Sequence, residues 1–181
     1  MTNTGTRRGA RGLKSSYTEP DLLKGAEDIL KVAKDEGYYE EDSLNIEKLI
    51  AKIDDIRVKY EDMDGGKSGS LYFDDGIWVI TINNKHHISR QRFTLAHELG
   101  HYILHKEKNS LFEDTTFFRG GSMDSIEYTA NEFAAKILMP EDRVRALIDS
   151  GIRDLVTLAN KFTVSSSAMK YRLEELGYRI K

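Results

Sequence analysis

The sequence predicts an α+β protein: a small antiparallel β-sheet packed on a helical core, followed by a C-terminal group of helices. Three observations predict it. Residues 53–82 hold an alternating apolar segment and a hairpin signal. Two long helical periods follow, over Ser89–His105 and about Ser125–Met139. Beyond Pro140 lie three further short helical stretches.

The elements follow in chain order. Pro20 stands at a first helical position, and Leu22, Leu23, Ala26, Ile29, Leu30 and Ala33 recur at helical spacing until Gly37, which predicts a helix over 20–37. Asn45–Ile53 predicts a short second helix, and Ile53–Tyr60, with Ile56, Val58 and Tyr60 alternating, a strand. The chain turns at Asp64-Gly65-Gly66. Ser70–Phe73 and Ile77–Ile82 then flank Asp74-Asp75-Gly76 as a hairpin. Between the two central helices, Lys106–Ser122 is rich in Gly, Phe and acids and reads as a loop. The last stretches are Glu141–Ser150, Arg153–Phe162 and Val164–Leu176.

Composition narrows the chemistry. The 181 residues are 39% hydrophobic and 31% charged, and mean hydropathy is −0.52, as in a globular chain of one domain or one domain with an appendage. No apolar run approaches a membrane span, and the first residues lack a secretory signal, so no membrane partner and a cytoplasmic location are expected. There are no cysteines, which excludes disulfides, thiolate zinc sites and thiol nucleophiles, so any metal must be held by His, Asp or Glu. Net charge is −3 but uneven: residues 1–18 carry +4, residues 141–181 carry +2, and the body between them −9. The basic start, with Arg7, Arg8, Arg11 and Lys14, reads as a disordered tail.

The strongest motif is His97-Glu98-Leu99-Gly100-His101. Residues four apart on a helix project from one face a turn apart, so both imidazoles can meet one tetrahedral ion with the carboxylate beside it. Placed at about 100° per residue, Arg90, Thr94, His97, Glu98, His101 and His105 form one narrow polar stripe on an otherwise apolar helix. An ordinary solvated face carries Lys, Glu and Arg, whereas this one gathers three of the chain's five histidines.

A catalytic zinc takes three protein ligands and keeps one position open. The metzincin extension is excluded, because Leu104 and Glu107 stand where it requires Gly and His. The next helix offers Glu127 and Glu132. Glu127 falls inside that helix's apolar arc, while Glu132 lies opposite it with Lys136 as an i+4 partner. A carboxylate aimed into a core must be neutralised, by a metal or by an arginine such as Arg90 or Arg92. Ala130 and Ala134 are small enough to let the two helices approach. His105 is one turn too far along the axis for the same ion and suits a role behind the ligands or facing substrate.

The run Arg92-Phe-Thr-Leu-Ala-His-Glu-Leu-Gly-His-Tyr-Ile-Leu-His105, followed by Glu127-Tyr-Thr-Ala-Asn-Glu-Phe-Ala-Ala-Lys-Ile-Leu-Met-Pro140, resembles the ImmA/IrrE family of metallopeptidases over about Asp54–Arg143. The resemblance implies a zincin-like core and a gluzincin-like site, with His97, His101 and Glu127 as zinc ligands and Glu98 as the catalytic base. Manganese would suit the same donors. It also implies a protein substrate, a helix-turn-helix repressor of a mobile element, prophage or stress regulon. The division that follows is a tail over 1–18, a zinc metallopeptidase domain over 19–140 and a helical subdomain over 141–181. Tyr128, Tyr102, His105 and Arg90 are the candidate donors to an oxyanion. Either Ser70–Phe73 or Ile77–Ile82 is expected to be a sheet edge that receives an extended substrate.

Residues 153–177 resemble a helix-turn-helix across Thr163-Val164-Ser165, with Ser166, Ser167, Lys170 and Arg172 as possible DNA contacts. The competing reading is therefore a DNA-binding or toxin–antitoxin-type regulator whose metal site is not catalytic. Glu98 favours the enzyme, since a structural site has no use for an acid that is not a ligand.

Overall fold

The structure, a computed structural model, describes residues 23–64, 66–114 and 125–180. The predicted tail over 1–18 and the later part of the predicted loop, 115–122, lie outside the described residues.

Helix α1 (Ala26–Asp35) begins later than its periodicity suggests: Gly25 is extended, and the Asp28 carboxylate accepts from Lys24 N at 2.8 Å, capping the chain before the first turn. A small antiparallel pair, β1 (Tyr39–Glu40) with β2 (Ser43–Leu44), leads into α2 (Ile46–Ile50), whose start is fixed by Asn45 Oδ1 accepting from Lys48 N. Strands this short carry no alternation, and none was predicted.

The main sheet comprises β3 (Ile56–Glu61), β4 (Gly69–Asp74), β5 (Ile77–Asn83) and β6 (Leu111–Asp114) in the order β3-β5-β4-β6. It is mixed rather than antiparallel: β4 pairs antiparallel with β5 and β6, but β3 runs parallel to β5, with Ile56 opposite Trp78 and Tyr60 opposite Ile82. Strand β5, where Trp78 through Asn83 are all buried, is internal, with β3 on one edge and its hairpin partner β4 on the other. Strand β6 lies within the segment read as loop. Its partner β4 and β5 are both internal, so neither is the substrate-receiving edge expected above; the edges are β3 and β6.

One helix packs on this sheet and a second packs on that helix. Helix α3 (Ile88–His105) is capped by His87, whose Nδ1 accepts from Ser89 N, and packs on β4 and β5; α4 (Ser125–Leu138) packs along α3. Every residue from Phe93 to Tyr102 is buried, as for a helix walled on all sides. Helices α5 (Glu141–Asp149), α6 (Leu155–Phe162) and α7 (Ser166–Glu175) follow, with Asp154 and Ser165 capping the last two and Thr163 left-handed between them (φ 54°). Arg172 is not available for DNA. It is 4% exposed, donates from Nε to Met139 O at 3.0 Å and pairs through Nη1 with Glu175 at 2.7 Å, which ties α7 to the end of α4.

Glycine decides how closely α3 lies on the sheet. A Cβ at Gly69 would stand 2.5 Å from Thr94 Cγ2, 2.9 Å from Thr81 O and 3.3 Å from Glu98 Oε1. Backbone cannot retreat from such a contact, so Gly69→Ala should destabilise by about 1–3 kcal/mol. Thermal unfolding is expected to show a Tm lowered by roughly 3–10 °C; an unchanged Tm would mean that α3 has slack over β4.

Candidate metal centre

The polar stripe of α3 is not a solvated face. Thr94, His97, Glu98, His101 and His105 are all buried, enclosed by α4 on one side and by β4 and β6 on the other. Helix α4 reaches this stripe because α3 carries Gly100 at the crossing, where a Cβ would lie 3.0 Å from Phe133 Cδ1 and 3.3 Å from Ala130 Cα and O. Of the two small residues predicted at the crossing, Ala130 and Ala134, Ala130 is the one met by Gly100 on α3.

Glu127, in the first turn of α4, lands between the two imidazoles. Its Oε2 lies 3.2 Å from His97 Nε2, its Oε1 3.2 Å from His101 Nε2, and the two Nε2 atoms are 2.9 Å apart. For ligands at zinc bond lengths the edge of a tetrahedron is about 3.3 Å, so the donor set is already close to the spacing of one coordination sphere. Neither arginine neutralises Glu127. Arg92 turns away to donate to Leu44 O, Ser43 Oγ and Thr163 O, and Arg90 Nη2 donates to Ser68 Oγ at 2.7 Å.

The imidazoles are held from behind. His97 Nδ1 lies 2.9 Å from Asn131 Oδ1, an acceptor, so Nδ1 carries the proton and Nε2 offers a lone pair. His101 Nδ1 lies 3.2 Å from His105 Nδ1, and its ring stacks on Phe112 of β6 with centroids 4.5 Å apart and planes at 18°. Burial holds the His101 pKa below its ordinary value, although the Glu127 carboxylate opposes this, and burial with neighbouring His101 and Lys108 pushes His105 down to about 4. Two neutral Nε2 lone pairs and a carboxylate facing one point call for a cation between them. The residues fit a divalent ion of the zinc or manganese kind.

The remaining predicted residues divide cleanly. Glu98 is wholly buried, one residue beyond His97, with its carboxylate toward β4 at Gly69. Glu132 pairs with Lys136 at 2.7 Å, away from the centre. Tyr102 is committed to Asp55 Oδ1 at 2.7 Å and His105 to the rear of His101, while Tyr128, the residue after Glu127, is half exposed and hydrogen-bonded to Tyr171. Asn131, Thr129, Phe112 and Gly69 escaped the reading of the sequence. Asn131 had a signal, standing one turn after Glu127 on the same face; Phe112 had none, because its strand was read as loop.

A mixed sheet crossed by an H-E-x-x-H helix, with a carboxylate delivered from the next helix, has the layout of a metallopeptidase core. Residues 51–174 match the family described as the IrrE N-terminal-like domain, peptidase M78. The chain is 36% identical over 132 residues to the radiation response metalloprotease IrrE of Deinococcus radiodurans, a match covering 70% of this chain and 39% of that protein. It is 25% identical over 163 residues to the metallopeptidase ImmA of Bacillus subtilis, covering 89% of each. It is also 38% identical over 74 residues to immunity region protein 2 of Bacillus phage phi105, covering 40% of this chain and 45% of that protein. The chain belongs to the ImmA/IrrE family of metallopeptidases; it spans about two fifths of the length of the Deinococcus radiodurans relative it matches.

Metal analysis of protein purified without added metal should find about one zinc per chain in the wild type and clear loss in Glu127→Ala, because two imidazoles without the carboxylate leave an incomplete set. Equal zinc in both proteins would place the third ligand elsewhere.

Proposed function

We propose that the chain is a zinc-dependent endopeptidase that uses His97, His101 and Glu127 as metal ligands and Glu98 as general base. The observation that carries this reading is Glu98 itself: a fully buried carboxylate next to a ligand in sequence, outside the donor triad, on the same stripe of α3. A structural site would not keep an uncoordinated acid there, since burying a carboxylate is expensive without a purpose.

A zinc ion held by His97, His101 and Glu127 would supply Lewis acidity towards a water molecule and the scissile carbonyl. Glu98 takes the proton from the attacking water and passes it to the leaving amine, so that amine departs neutral. Asn131 keeps His97 in the tautomer that offers Nε2. Tyr128, the half-exposed residue after Glu127, is the most accessible of the four candidate oxyanion donors.

The substrate we infer is a helix-turn-helix repressor of a mobile element, prophage or stress regulon, cleaved in the cytoplasm. The likeness to a phage immunity region protein supports that class. No helix among the described residues is long and apolar enough to cross a membrane. We read α6 and α7 as a helix-turn-helix-like pair used to brace the core or to meet the substrate protein rather than DNA. Arg172 is buried, and Lys170 lies 3.9 Å from Glu174, which leaves α7 little free positive charge for phosphate.

Glu98→Gln keeps the size and hydrogen-bonding shape of the side chain but cannot take a proton. The variant should retain its zinc and lose cleavage of a candidate repressor by about 10²–10⁴-fold, followed by intact mass of the products. Full cleavage by the variant would remove Glu98 as base. Chelation should abolish wild-type cleavage, and stoichiometric zinc should restore it.

A further inference from the structure

The hydrogen bonds behind His101 form a directed chain that ends on α4. Thr129 Oγ1 lies 2.9 Å from Ile126 O, which only accepts, so the single hydroxyl hydrogen is spent there. The same oxygen lies 3.0 Å from His105 Nε2 and must therefore accept from it. A neutral imidazole carries one N–H, so His105 Nδ1 is a bare acceptor. It lies 3.2 Å from His101 Nδ1, which must then carry the proton and leave Nε2 bare. That bare Nε2 faces Glu127 and His97. Phe112, stacked on the same ring, holds its plane.

We propose that Thr129 and His105 are positioning residues for the metal centre, a relay that fixes the tautomer and ring orientation of His101 so that its Nε2 lone pair is presented to the ion. The proposal rests on the reading of His101 as a ligand. It gives His105 a structural reason to be buried at 5% exposure one turn beyond the motif, where it is too far along the axis to bind the same ion. It also couples the two helices in a second way. Glu127 and Thr129 sit on one turn of α4, so a single helix position sets both the third ligand and the orientation of the second. His97 is oriented independently through Asn131, so loss of the relay should weaken binding without abolishing it.

The test is zinc affinity of the intact, demetallated 181-residue chain, measured by competition with a chelator for wild type, Thr129→Val, Thr129→Ser and His105→Phe. Long-range ¹H–¹⁵N spectra of the imidazoles are recorded alongside. Thr129→Val keeps the shape and removes the acceptor, and Thr129→Ser restores it. Thr129→Val and His105→Phe should bind zinc about 10–100-fold more weakly, Thr129→Ser should match wild type, and the wild-type spectrum should show His101 protonated at Nδ1. Affinities within about twofold of wild type in both weakened variants, or His101 protonated at Nε2 in the wild type, would overturn the relay. Should His105→Phe fail to fold, Thr129→Val against Thr129→Ser decides alone. Wild-type protein that binds no zinc would overturn the metal reading itself, a result separate from any ratio between variants.

Discussion

The close crossing of α3 and α4 is the constraint on which the centre depends. Two histidines on one helix define only a line of donors; a third must arrive from elsewhere at a distance fixed to within a few tenths of an ångström. Gly100 against Ala130 and Phe133 lets the helix backbones approach without a Cβ between them, and Glu127 reaches both Nε2 atoms as a result. The residues that look least chemical, a glycine and an alanine, therefore decide whether the chemical ones meet.

The same economy appears on the sheet side. Gly69 leaves room for Thr94 and the Glu98 carboxylate against β4, and Phe112 brings an aromatic face from β6 to His101. The centre is enclosed by a helix, an internal strand and an edge strand. Enclosure raises the energetic stake of every polar group within it, and each imidazole is accordingly hydrogen-bonded through the nitrogen that does not face Glu127.

Basic side chains that invited a functional reading turn out to be structural fasteners. Arg92 spans from α3 to the carbonyls of Leu44 and Thr163, joining the β1–β2 pair and the α6–α7 turn to the core, and Ser43 Oγ lies 3.5 Å from Phe162 O beside it. Arg172 does the same between α7 and the end of α4. Guanidinium groups suit this use, because their fixed fork of donors can satisfy several carbonyls at once while staying charged.

Sequence by itself determined the local elements and the chemistry they carry. Helical period, caps such as Asn45, Asp154 and Ser165, and the Asp74-Asp75-Gly76 turn are written in neighbouring residues, and so were the H-E-x-x-H face and the preference for Glu127 over Glu132, which follow from which arc of a helix is apolar. Tertiary structure decided what depends on residues far apart. The parallel pairing of β3 with β5, the internal place of β4 and the existence of β6 depend on pairings between segments distant in the chain, which no local pattern encodes. The partners of each imidazole nitrogen were settled in the same way. A histidine's tautomer depends on what packs behind it, and Asn131, Phe112 and Thr129 arrive there only when the helices and sheet have closed.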